Sequence, residues 1–294
     1  MSAAKNKTFE TSEENAMKLG IIGNWNNEDF FRFAKSKGLE CLEFCMNGGS
    51  DSAAILADAA NIKERLDRHG LSCCAVGRWG MKRIDDDGNV IPEALAHDRN
   101  IISVAAAIGA PVFNCGCNFA KNKTFAENCD IASDYFKGLI EYAKPLGVKI
   151  AVYNCSWEND VYDERTWETI LSRVPELGLK YDVSHCVNRG GDYLREMAKY
   201  GNRIYHFHLK GSIYIDGKRF DDPPIGLDST NWGAVMNMLY YHNYNGTLSL
   251  EPHSPENWTG NKGLWGIEFS INYIKPYIMP EDYVTDYPKE FKPW

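Results

Sequence analysis

Apolar and polar positions follow two alternating rhythms along most of this chain. From Met17 the short apolar run KLGIIG gives way to NNEDFFRFAKSKG, whose apolar residues recur at helical spacing and stop at a glycine. LECLEFC then reads as a second strand. A helix is expected from about Asp51 to His69, with Gly70 as its C-terminal punctuation. The strand LSCCAVG, the helix PEALAHDRNIISVAAAIG and the strand APVFNCG come next. A helix from about Glu127 to Lys144 precedes VKIAVYN, and one near Glu164 to Arg173 precedes LGLKYDVSH. Helices near Asp192 to Lys199 and Trp232 to Tyr241 precede RIYHFHLKG and GTLSLEPH, and a last helix covers about Lys262 to Ile274.

These are eight strand-then-helix units. Short, apolar strands alternating with helices predict a parallel sheet buried on both faces. Eight units in roughly 260 residues fit a closed (β/α)₈ TIM barrel, an α/β fold of one domain. The expected division is a polar, flexible lead-in over 1–16, the barrel over 17–277 and a C-terminal tail over 278–294. An open doubly wound sheet fits less well, because GNWNNEDF after the first strand is not a G-x-G-x-x-G phosphate loop. Two long loops, Met81 to Glu93 and GSIYIDGKRFDDPPIGLDSTN, follow strands three and seven. The second contains IYIDGKRF, a predicted hairpin with an Asp-Gly turn. In a barrel both loops lie over the C-terminal mouth, where active sites are built.

Polar side chains collect at the C-terminal ends of the later strands. Strand five supplies Tyr153 and Asn154, and strand six supplies Asp182 with His185 three residues on. Strand seven supplies His206, His208 and Lys210; strand eight supplies Glu251 and His253. The strand period of two puts 206, 208 and 210 on one side, and pairs Glu251 with His253. Taken singly, such a histidine is ordinarily a hydrogen-bonded rim residue, and such an aspartate caps the next helix. Together Asp182, His208 and Glu251 offer hard oxygen and borderline nitrogen donors from three successive strands. That mix suits one divalent ion, Mn²⁺ foremost, with Mg²⁺, Co²⁺ or Zn²⁺ as alternatives.

Composition narrows the partners. A formal net charge of -8 over 294 residues, with no basic block, argues against nucleic acid. No apolar run approaches the ~20 residues of a membrane span, and the polar N-terminus lacks a signal-peptide core. The 9 cysteines have no C-x-x-C spacing, so a reducing cytoplasm is expected. Aromatic residues make up 13% of the chain, and tryptophans follow several strands. Trp25 and Trp79 are the favoured candidates for stacking on a sugar ring; rim packing is the alternative.

From about Met17 to Tyr277 the chain resembles the xylose-isomerase-like barrel superfamily of sugar-phosphate isomerases and epimerases. Its relatives include tagatose and psicose 3-epimerases, inosose dehydratases and endonuclease IV. The resemblance rests on YDVSH, on HFHLKG and on GLDSTNWGAVMNMLYYHNYNGTLSLEPH. GLECLEF resembles the family's second strand and implies that Glu43 lies in the mouth. The family's metal set of Glu, Asp, His and Glu falls on Tyr153, Asp182, His208 and Glu251, so the first glutamate is here a tyrosine. Gly211 departs too, where the family often has Asp.

The resemblance implies a metal-dependent isomerase or epimerase of a keto-sugar acting through an enediolate. Glu251 would bind metal and move the α-proton, Tyr153 could donate a proton, and Lys210 and His185 would hold substrate oxygens. Glu43, Asn154, His206 and His253 are further candidate substrate contacts. With only one of the two opposing glutamates left, a lyase, dehydratase or keto-glycoside-cleaving enzyme is the alternative. A non-catalytic carbohydrate-binding barrel is a further one. A nuclease like endonuclease IV is disfavoured by only 7 histidines and an acidic balance. A homo-oligomer is left open.

Overall fold

A computed structural model of the protein describes residues 16–47, 49–254 and 256–280. The expected lead-in, apart from Ala16, and the tail from 281 onward lie outside the described residues. The barrel strands are β1 (Lys18–Gly23), β2 (Cys41–Cys45), β3 (Ser72–Gly77), β4 (Val112–Cys115), β5 (Lys149–Tyr153), β6 (Gly178–Asp182), β7 (Ile204–Leu209) and β10 (Thr247–Leu250). They close in the order β1-β10-β7-β6-β5-β4-β3-β2. Every barrel pair is parallel. The expected hairpin forms from β8 (Ile213–Ile215) and β9 (Lys218–Asp221), paired antiparallel outside the barrel.

Helices α1 (Glu28–Ser36), α4 (Pro92–Ile108), α5 (Phe125–Ala143), α6 (Glu164–Arg173), α8 (Tyr193–Tyr200), α9 (Trp232–Tyr241) and α10 (Gly260–Ile274) lie where the 3.6-residue rhythm predicts them. Local chemistry sets their ends. Thr124 and Glu127 form a capping box at the start of α5, and Asp163 caps α6. Gly109, at φ 78°, ends α4 in the left-handed region that glycine enters without steric cost.

Two departures need physical reasons. The helix expected over Asp51 to His69 is two, α2 (Ser52–Ala57) and α3 (Ala59–His69), broken at Asp58. Apolar periodicity continues through the break, so the pattern alone hides it. An unexpected short helix, α7 (Val183–Asn188), starts directly after β6. Its cap is Asp182, whose Oδ1 accepts from the Ser184 amide at 2.9 Å.

Seven of the nine free cysteines are buried. They pack as small apolar groups, and burial pushes the thiols of Cys73, Cys74, Cys115 and Cys117 up. Among the described residues no helix is long and apolar enough to cross a membrane.

Candidate metal and active site

Strand register assembles the site. Across β6 and β7, Asp182 faces His208 and Lys180 faces His206; across β5 and β6, Tyr153 faces Lys180. Ser249 faces His208 from β10, and the Glu251 amide donates to the Leu209 carbonyl at 3.1 Å. Inward side chains therefore stack in levels: Tyr153, Lys180 and His206 deepest, Asp182 and His208 above them, and Lys210 and Glu251 at the rim.

One ligand atom from each of Asp182, His208 and Glu251 lies within 4.8 Å of the others. His208 Nδ1 is 2.6 Å from Glu251 Oε2. Asp182 Oδ2 is buried without a hydrogen-bond partner, because only Oδ1 is used by the α7 cap. A buried carboxylate oxygen left open is costly unless something positive occupies it. His185 Nε2 and Lys180 Nζ stand off at 3.5 and 3.8 Å. The donor set and the open oxygen fit one divalent cation.

Glu43, His206 and His208 also cluster within 4.8 Å. There both imidazoles meet a single carboxylate oxygen, Glu43 Oε2, at 2.8 and 2.7 Å. Those are hydrogen-bond lengths, and both imidazoles are aimed at one oxygen, an arrangement that two hydrogen bonds to Glu43 account for.

The charges of the site are mutually held. Burial opposes ionisation of Glu251, but Lys210, His208 and Lys180 outweigh it and hold its carboxyl well below the usual range. Burial likewise opposes the charge on Asp182, and His185, Lys180 and Lys210 lower its pKa all the same. Burial depresses His185 to about 4, against the pull of Asp182, so its imidazole is neutral near pH 7. Lys210 Nζ sits 3.8 Å from both Glu251 Oε1 and Asp222 Oδ2. Burial works against its ammonium; Glu251, Asp182 and Asp222 prevail and raise its pKa.

The remaining expected residues are placed as follows. Glu43 is not in the mouth: it is fully buried beneath it, on His206, His208 and Asn114. His206 is buried at the same depth. Asn154 is spent on the Asp182 backbone, donating to its carbonyl at 2.8 Å and accepting from its amide at 3.0 Å. β10 ends at Leu250, so the strand alternation expected to pair His253 with Glu251 does not extend to them. His253 Nδ1 lies 3.1 Å from Asp222 Oδ2. Trp25 is half-buried against the core.

Tyr153 faces the interior, and its hydroxyl donates to the Trp157 carbonyl at 3.1 Å. Burial pushes its pKa up. Its ring stacks on Trp79 at 5.8 Å, and Trp79 lies 6.4 Å from His208. Trp79 is held there by its loop. Arg83 donates to the carbonyls of Arg78 and Met81, and both arginines pair with the buried Asp98 of α4.

Sequence reasoning missed two groups. Lys180 is two residues from Asp182 on one strand, so the period of two pointed to it. Asp222 had no local signal. The β8–β9 hairpin carries it over the mouth, where it is buried against Lys210, Arg219 and His253.

A family model described as xylose isomerase-like TIM barrel matches residues 31–270. No curated protein sequence matches the chain. Among solved structures, a D-allulose 3-epimerase from Methylomonas sp. superposes with a TM-score of 0.70 at 17% identity, covering 90% of this chain and 98% of that one. A 3-keto-D-glucoside 4-epimerase from E. coli gives 0.68 at 14% identity, with 88% and 99% covered. The IOLI protein with a bound zinc atom gives 0.69 at 16% identity, with 89% and 99% covered. At these identities the likeness is one of fold.

Proposed function

Because the chain belongs to the xylose isomerase-like TIM barrel family, we propose that it is a divalent-metal-dependent isomerase or epimerase of a keto-sugar or related carbohydrate, working through an enediolate. The observation that carries this reading is the open, buried Oδ2 of Asp182 beside His208 and Glu251. A bound cation would be held by these three residues and would polarise a carbonyl and its neighbouring oxygen.

The protein's own groups supply the rest. Glu251 is ionised, and its side chain is 19% exposed while Asp182 and His208 are at most 1% exposed, so it alone of the three is open to a substrate carbon. It takes the proton α to the carbonyl. Lys210 stands beside it as a cationic donor to a substrate oxygen, and the neutral His185 can donate to or accept from a hydroxyl. Return of the proton to the opposite face gives an epimer; return at the neighbouring carbon gives an isomer. The test uses D-allulose, D-fructose and a 3-keto-glucoside, sugars named with the structural relatives. Protein purified without chelator should carry about one equivalent of metal and exchange a substrate C–H with deuterated solvent. Absence of both would favour a carbohydrate-binding barrel.

A second reading follows from Tyr153. A single carboxylate facing the substrate carbon suits elimination: the α-proton is lost, the β C–O bond breaks, and its electrons leave with the departing oxygen. Release of the aglycone from a 3-keto-glycoside, without an epimer, would establish it. Under either reading Tyr153→Phe should keep the metal and lower turnover by up to about tenfold, because it removes only the hydroxyl that holds the Trp157 carbonyl beside the site. Tyr153→Glu should tighten metal binding by adding a charged oxygen. Wild-type metal affinity and turnover in both variants would leave the tyrosine as a support for Trp157 alone.

A further inference from the structure

The oddest group near the site is Glu43, a carboxylate with no exposed surface at the floor of the barrel. Its three partners are Asn114, His206 and His208. Asn114 Nδ2 donates to Oε1 at 3.0 Å, and the Nε2 atoms of His206 and His208 lie 2.8 and 2.7 Å from Oε2. Two irregularities in the barrel serve this arrangement. The β2–β3 register shifts between Leu42 and Glu43, and the β6–β7 register shifts between Leu179 and Lys180, where Tyr205 is skipped and His206 becomes the partner. Such bulges re-aim side chains, and here they flank the two residues that meet beneath His208.

Both ring nitrogens of His208 face a carboxylate oxygen, and an ion shared with Asp182 and Glu251 would take the lone pair of Nδ1, which leaves the proton on Nε2, toward Glu43. Nδ1 is the nitrogen facing Glu251 Oε2, at 2.6 Å. We propose that Glu43 is a positioning residue that, through the Nε2–H of His208, locks the tautomer and ring orientation presenting Nδ1 to the ion, and so sets metal affinity. The inference rests on the metal-dependent reading above and adds to it a determinant that never touches substrate. Outer carboxylates of this kind commonly tune metal affinity.

Glu43→Gln tests it. The amide keeps the shape but loses the charge: Asn114, whose Oδ1 has no partner, can turn to meet the new NH₂, and the Nε2–H of His208 is left on a weaker, neutral acceptor. Zn²⁺ affinity, measured by competition with a chromophoric chelator, should fall about 10- to 100-fold. A merely structural role would not change which nitrogen carries the proton, so ¹⁵N-histidine NMR of the Zn²⁺-loaded full-length protein is the second readout. In the wild type His208 should show protonated Nε2 and metal-bound Nδ1. Should Glu43→Gln fail to fold, Asn114→Ala, which removes only one bond to Glu43, should weaken Zn²⁺ about two- to tenfold. Wild-type affinity in the folded variants, or a His208 proton on Nδ1, overturns the role of Glu43 alone. A wild-type protein that binds no Zn²⁺ overturns the metal-dependent reading as well.

Discussion

Changing His208 to alanine should leave the protein unable to retain its metal. His208 is the hinge of the site: Nδ1 lies 2.6 Å from Glu251, and Nε2 lies 2.7 Å from Glu43. Its removal deletes one of three protein donors and also releases the group that aligns with a second. We expect affinity to fall by at least about 100-fold, with less than about a tenth of an equivalent surviving gel filtration. Stability should fall as well, by about 1–3 kcal/mol, because Glu43 loses one of its donors while staying buried. Metal analysis on the folded variant, confirmed by circular dichroism, is the check. Full occupancy would remove His208 from the ligand set.

The second large effect is expected at Glu251. Glu251→Gln keeps size and shape but abolishes the basic oxygen that takes the α-proton. Turnover should drop about 10²- to 10⁴-fold, the usual worth of a positioned acid–base group. Deuterium exchange into substrate should fall in parallel, since exchange and turnover share the proton-abstraction step. Metal affinity should weaken less than in His208→Ala, because the amide oxygen remains a donor. Turnover within about threefold of wild type would mean that the proton travels by another group, and Asp222 or Lys210 would be the next to change.

These expectations rest on positions that the sequence exposed to very different degrees. Eight apolar runs separated by helical periods were enough to call for a closed parallel barrel, because strands buried on both faces carry their burial in the local pattern. The same pattern put Asp182, His208 and Glu251 at strand ends, and a barrel of fixed hand sends all strand ends to one mouth. The break at Asp58 and the short helix holding His185 were not legible, since neither interrupts apolar periodicity.

What only the tertiary structure decided is the direction of individual side chains. Glu43 reads as a mouth residue in sequence. It is fully buried on His206 and His208, beside the register shifts at Leu42/Glu43 and Leu179/Lys180. Tyr153 kept its expected inward face, yet its hydroxyl was claimed by the carbonyl of Trp157, a loop residue whose position no local rule supplies. Asp222 reached Lys210 only through the path of a hairpin. Periodicity is a property of neighbours along the chain and survives in the sequence. Register, bulges and loop paths are settled by contacts between residues far apart in it, such as His206 and Glu43, and those contacts exist only once the barrel has closed.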